Sequence, residues 1–130
     1  MQYLLDTVTL IRHFTEIGKL GKKAQEILNS KDNTFVISVV SLMEILYLSE
    51  KRRINIDLIE TLNRIELSSL YQIVDLTPDI LIVANDLHFH ELHDRLMLST
   101  AKWLDIPIIS SDEKFKTSKV FRFFGINLFI

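Results

Sequence analysis

The sequence predicts an α/β protein, with α/β layers around a mainly parallel sheet, in a single domain spanning residues 1–130. Three observations lead there. Short, wholly apolar runs such as Phe35-Val36-Ile37 and Ile108-Ile109 read as strands buried on both faces, the mark of a parallel sheet covered by helices. Longer stretches with apolar residues at helical spacing separate those runs. Only three glycines and two prolines are spread over the chain, so no linker or domain boundary interrupts it.

Tyr3–Leu5 is the first expected strand, and Thr7–Glu16 the helix behind it, with Leu10, Ile11 and Phe14 on one face. A second helix over about Lys19–Leu28 ends in the polar turn Asn29-Ser30-Lys31-Asp32-Asn33. Phe35-Val36-Ile37 is the next strand, followed by a helix from Ser38 to about Arg52. Ile56–Leu67 repeats apolar residues at Leu58, Ile59, Leu62 and Ile65, a helical period. Tyr71–Leu76 is ambiguous and is assigned as a short strand. Pro78 suits the first turn of a helix reaching about His88, because an N–H there has no intrahelical partner to lose. Asp94–Leu104 is the following helix, which Asp105-Ile106-Pro107 turns into the strand Ile108–Ser110; Ile126–Phe129 is a terminal strand. In such sheets, ligand chemistry gathers just beyond the carboxyl ends of the strands.

Composition excludes several classes of function. Hydrophobic residues make up 48% and charged residues 25%, an ordinary globular balance. No run approaches the roughly 18 consecutive apolar residues of a spanning helix. The opening Met1–Asp6 has no basic region before its apolar residues, so neither a spanning helix nor a signal peptide is expected, and a cytoplasmic location is the default expectation. With no cysteine, disulfides, thiolate catalysis and cysteine-based zinc sites are out. The net charge of −2 lacks the basic excess usual in nucleic-acid binders. Basic clusters at Lys19/Lys22/Lys23, Lys51/Arg52/Arg53 and Lys114/Lys116/Lys119/Arg122 read as solvated helix faces.

Four carboxylates stand out by position. Asp6 directly follows the first strand, and Asp112 almost as closely follows Ile108–Ser110. Glu44 lies early in the helix after the second strand, among Leu42, Met43, Ile45 and Leu46, and Asp94 opens the helix leading to Asp112. Taken singly, the three aspartates have the plain reading of N-caps, and Glu44 that of an exposed glutamate. Taken together they say more. Clustered carboxylates raise one another's pKa values unless a cation neutralises them. Hard oxygen ligands suit Mg²⁺ or Mn²⁺, ions that support phosphodiester hydrolysis. No Ser–His–Asp spacing, phosphate-cradling glycine loop or dinucleotide fingerprint competes.

The stretches "YLLDTVTLI", "SVVSLMEILYL" and "HDRLMLSTAKWLDIPIISSDEKF" resemble the successive signatures of PIN-domain nucleases. In length and layout the chain is most similar to the VapC-type toxins of type II toxin–antitoxin pairs. That resemblance spans nearly the whole chain. It implies a three-layer α/β/α sandwich with a central, mainly parallel sheet, and a Mg²⁺- or Mn²⁺-dependent endoribonuclease that hydrolyses RNA through a metal-activated water. Asp6, Glu44, Asp94 and Asp112 match the family's acidic quartet; Asp6, Asp94 and Asp112 are the implied metal ligands, and Thr7, Ser41 and Ser110 match the small hydroxyl positions beside the acids. Glu113 follows Asp112, a second carboxylate at that corner. An antitoxin inserting a basic residue among the acids, and a homodimer, are implied partners. Two alternatives stay open at this point: a non-catalytic PIN-like binding or assembly module whose acids are caps, and an RNA-processing nuclease without an antitoxin.

The remaining candidates have plainer readings. His88, His90 and His93, at i, i+2 and i+5, do not share one helix face and are assigned to a surface turn. His13 is expected at the surface. Trp103 and Phe121/Phe123/Phe124 are assigned to the core rather than to base stacking. The stretch Leu58–Leu67 is likewise read as core.

Overall fold

Among the described residues four strands, β1 (Gln2–Leu5), β2 (Thr34–Ser38), β3 (Tyr71–Val74) and β4 (Ile108–Ile109), pair in the order β3-β2-β1-β4, all parallel. The computed structural model describes residues 1–88 and 91–110. His90, Asp112, Glu113, the Lys114/Lys116/Lys119/Arg122 cluster, the Phe121/Phe123/Phe124 group and the expected strand Ile126–Phe129 lie outside the described residues. Register explains the apolar runs: Leu4 stands opposite Val36 on one side and Ile108 on the other. Leu4, Leu5, Phe35, Ile37, Ile108 and Ile109 are fully buried, whereas β3 at the end of the order is partly exposed. Truncating such a residue to alanine costs about 2–5 kcal/mol.

Among the described residues six helices fill the connections: α1 (Thr7–Thr15), α2 (Lys22–Asn29), α3 (Val39–Glu50), α4 (Leu58–Glu66), α5 (Pro78–Asp86) and α6 (Leu92–Leu104). The chain steps from β1 to β2 to β3, then returns across the sheet to β4 beside β1. With the right-handed crossovers that parallel sheets nearly always use, α1–α4 fall on one face and α5–α6 on the other. Packing of α1 and α4 on α3, and of α5 on α6, agrees with these layers. Among the described residues, no helix is long and apolar enough to cross a membrane.

Most helix starts are set by side chains. Asp6, Ser38, Asp57 and Thr77 accept the expected backbone N–H at the N-termini of α1, α3, α4 and α5. Several starts or faces differ from expectation. The stretch Leu58–Leu67, read as core, buries Ile65 but leaves Ile59 and Leu67 exposed, because α4 covers the core with only one face. Helix α2 begins at Lys22 rather than Lys19, because Gly18 takes a left-handed turn (φ 89°) and Gly21 becomes the N-cap. Helix α6 begins at Leu92, and its cap is Glu91, whose Oε2 accepts from Asp94 N at 2.7 Å. Asp94 is therefore the third helical residue and not the cap. Trp103, assigned to the core, is 50% exposed, since α6 is buried only as far as Ala101.

Candidate functional site

Parallel pairing brings the carboxyl ends of β1, β2 and β4 to one edge of the sheet, so Asp6, the start of α3 and Ser110 gather there. The edge between β1 and β4 is also where the connections diverge, β1 leading one way to β2 and β3 returning the other way to β4. Crevices open at such switch points.

Asp6 is buried, 7% exposed, and both its oxygens are engaged. Oδ1 accepts from Thr9 N at 2.8 Å, capping α1, and Oδ2 accepts from the buried Ser110 hydroxyl. Its backbone N–H donates to Ile109 O at 3.2 Å, tying the end of β1 to β4. The cap and the site position thus coincide in one residue. Thr7, next along, is held equally firmly. Its Oγ1 lies 2.7 Å from Glu44 Oε1 and 2.9 Å from Ser41 Oγ. An ionised carboxylate only accepts, so the Thr7 proton goes to Glu44 and Ser41 donates to Thr7. Ser41, fully buried, also lies 3.7 Å from Met97 Sδ, which links α3 to α6.

These contacts settle the direction of Glu44. It turns inward, one turn beyond Ser41 on the same side of α3, and stops at the solvent edge half-buried. Asp6, Thr7 and Glu44 line one cleft with Asp94 and Met97 of α6, together with Val8 and Arg12 of α1; its volume is about 300 Å³. Three acids predicted from separate motifs are therefore brought together, with Thr7 among them and Ser41 and Ser110 behind them. Arg12 was not singled out by the sequence reading; its one sequence signal is its place a turn beyond Val8 on the helix that Asp6 starts.

Among the described residues, no histidine lines this cleft. His93 Nδ1 lies 3.1 Å from Glu91 Oε1, at the start of α6. Partial burial pushes the Glu91 carboxyl up, but the N–H groups of Asp94 and His93 and the His93 charge outweigh it and hold its pKa below the usual value. His13 is not a plain surface residue. Its Nε2 lies 2.7 Å from Tyr71 OH at the amino end of β3, away from the cleft. Burial, aided by the Arg64 charge and opposed by Glu16, lowers its pKa from the ordinary 6.5. Arg64 in turn covers the Phe14 ring at 4.4 Å and donates to Phe14 O at 2.5 Å.

The donor set can be matched to a metal. Among the described residues, no three His, Cys, Asp or Glu side chains stand close enough to chelate an ion by themselves. Mg²⁺ does not require that: it dehydrates reluctantly and takes only one or two carboxylates directly, keeping waters elsewhere. A cleft walled by oxygen donors from Asp6, Glu44 and Asp94, with no imidazole among its described lining residues and no cysteine in the chain, fits a hydrated Mg²⁺ or Mn²⁺ and disfavours softer metals.

An open parallel α/β sheet with an acidic, oxygen-lined cleft at its switch point defines the class. The chain belongs to the PIN-domain family, whose model matches residues 3–119. Similar folds occur in solved structures at low sequence identity. A chain of VapBC2 from Rickettsia felis, bound to a DNA fragment from their promoter, is 20% identical with a TM-score of 0.68, over 92% of this chain and 95% of that one. A chain of a toxin–antitoxin complex from Klebsiella pneumoniae is 22% identical with a TM-score of 0.63, over 91% and 93%. A chain of DNA-bound VapBC from Salmonella typhimurium is 19% identical with a TM-score of 0.65, over 92% and 93%. No curated protein sequence matches this one.

Proposed function

We propose that this chain is a Mg²⁺- or Mn²⁺-dependent endoribonuclease, the toxin of a type II toxin–antitoxin pair, working as a single domain over residues 1–130. The observation that carries the reading is the convergence of Asp6, Glu44 and Asp94, from three different elements, on one cleft. In this reading Asp6, Asp94 and Asp112 hold the ion and Glu44 completes the acidic wall. When bound, the ion activates a water for attack and offsets charge on the phosphate. The protein's own part is orientation. Ser110 fixes Asp6 through Oδ2 while the α1 cap fixes it through Oδ1. The Ser41–Thr7 chain fixes Glu44. Such preset carboxylates need not reorganise as the reaction proceeds.

The antitoxin partner is supported by the solved complexes of similar fold, which include VapBC assemblies. An antitoxin arginine reaching among the acids would match paired carboxylates with its planar fork. The homodimer belongs to the same reading. The competing possibility, a binding module whose acids serve as caps, draws on Asp6, which does cap α1. Cleavage of structured RNAs by purified protein with Mn²⁺, beside Asp6→Asn, separates the two. Asparagine caps a helix as well as aspartate does, so the variant should fold and lose cleavage. Equal cleavage by both proteins, or none by either, would remove the nuclease reading.

A further inference from the structure

Among the described residues lining the cleft, Arg12 is the one cation. It sits one helical turn beyond Val8 on α1, and its guanidinium is held in place. Nη1 donates to Lys19 O at 3.0 Å. A Cβ on Gly18 would stand only 3.1 Å from Arg12 Nε and 3.2 Å from its Cγ, so the backbone there lies flat on the arginine stem. Gly18 also adopts φ 89°, which side chains rarely tolerate. The loop joining α1 to α2 is thus moulded around this one side chain.

Its charge is not locked in a salt bridge among the described residues. Arg12 shares the cleft with Asp6, Glu44 and Asp94, yet among the described residues it forms an ion pair with none of them. Lys19 O engages one of the five guanidinium N–H groups. A positioned arginine that no salt bridge holds can turn its N–H groups to an anion arriving from outside. In a cleft of carboxylates, an incoming phosphodiester also needs a positive group to offset repulsion.

Building on the nuclease reading above, we propose that Arg12 binds a backbone phosphate of the RNA strand in the cleft, through N–H groups that Lys19 does not use. The contact is a charge-assisted, forked one, which lysine reproduces only as a point charge. It carries no base information, and so sets the register of the strand against the acids rather than its sequence.

The test is binding of a fluorescently labelled single-stranded RNA in Ca²⁺, at salt concentrations from about 50 to 200 mM, for wild type, Arg12→Gln and Arg12→Lys. Arg12→Gln is expected to bind about tenfold or more weakly. The slope of log affinity against log salt should become shallower by about 0.7, one phosphate contact on a single strand. Arg12→Lys should keep the slope and lose several-fold in affinity. A purely structural role would weaken binding without moving the slope, and that result, or unchanged binding by Arg12→Gln, overturns the proposal. Should Arg12→Gln fail to fold, Arg12→Lys decides, and wild-type affinity in it would refute the forked contact. Mn²⁺ cleavage by wild type, run in parallel, reports on the nuclease reading separately: its absence would remove that reading and leave the binding comparison intact.

Discussion

Replacing Thr7 with valine keeps the shape of the side chain and deletes one hydroxyl, at 2.7 Å from Glu44 Oε1 and 2.9 Å from Ser41 Oγ. A hydrogen bond to a charged group contributes about 1.5–3 kcal/mol. Glu44 is half-buried and water can replace part of that, so about 1 kcal/mol is the fair figure here. Ser41, fully buried, loses its oxygen acceptor and keeps only the sulfur of Met97 at 3.7 Å, which costs about another 1 kcal/mol. The added methyl recovers less than about 0.8 kcal/mol. Thr7→Val should therefore lose about 1–2 kcal/mol, a fall of about 3–8 °C in Tm. Urea and thermal unfolding measure this directly. A double-mutant cycle with Glu44→Gln isolates the pair, and coupling of at least about 0.5 kcal/mol is expected. In the cleavage assay, Thr7→Val should lower kcat, because Glu44 is no longer held against the cleft. Additive stabilities within about 0.3 kcal/mol, with kcat unchanged, would refute the claim that Thr7 orients Glu44.

Two further predictions rest on separate contacts. Because Glu91 caps α6 and Asp94 does not, stability and activity should separate: Glu91→Ala should cost about 1 kcal/mol and keep cleavage, whereas Asp94→Asn should abolish cleavage with little change in Tm. A stability loss in Asp94→Ala as large as that in Glu91→Ala would restore the cap reading of that residue. His13 supplies a pH dependence. Its folded pKa lies below its ordinary 6.5, so the unfolded chain binds the proton more readily; its contribution is complete above 6.5 and is lost as pH falls through the lower folded value. Unfolding measured from pH 7.5 down to about 5 should show a decline that His13→Asn flattens, and an identical slope in both proteins would contradict it.

How far the sequence reveals this molecule follows from the range of the interactions. β1, β2 and β4 are legible because each is a short run buried on both faces, and Asp6 is legible because it abuts such a run. Glu44 is legible as a candidate but not in direction. Helix α3 is apolar nearly all round, with Met43, Leu46 and Tyr47 exposed, so its periodicity selects no face. The direction comes from Thr7, 37 residues away. The start of α6 is hidden for a related reason: glutamate is a poor advertisement for an N-cap beside an aspartate three residues on, and Leu92 looks like core yet is exposed. His13 reads as a surface residue because its partner Tyr71 is 58 positions distant. Arg12 escapes notice because what places it is the backbone of Gly18, whose positive φ leaves no mark on periodicity or charge.

The central claim is that carboxylates around a divalent ion, and not an internal 2′-hydroxyl attack, cut the RNA. No histidine pair lines the described cleft to act as the acid–base couple that 2′-hydroxyl attack usually needs. The chemistry of the product ends distinguishes the two routes. RNA cut by the wild-type protein in Mn²⁺ should carry a 5′-phosphate and a free 3′-hydroxyl, EDTA should stop the reaction, and a substrate with hydrogen in place of the 2′-hydroxyl at the cleavage site should still be cut. Recovery of 2′,3′-cyclic phosphate ends, or full activity in EDTA, would contradict the account.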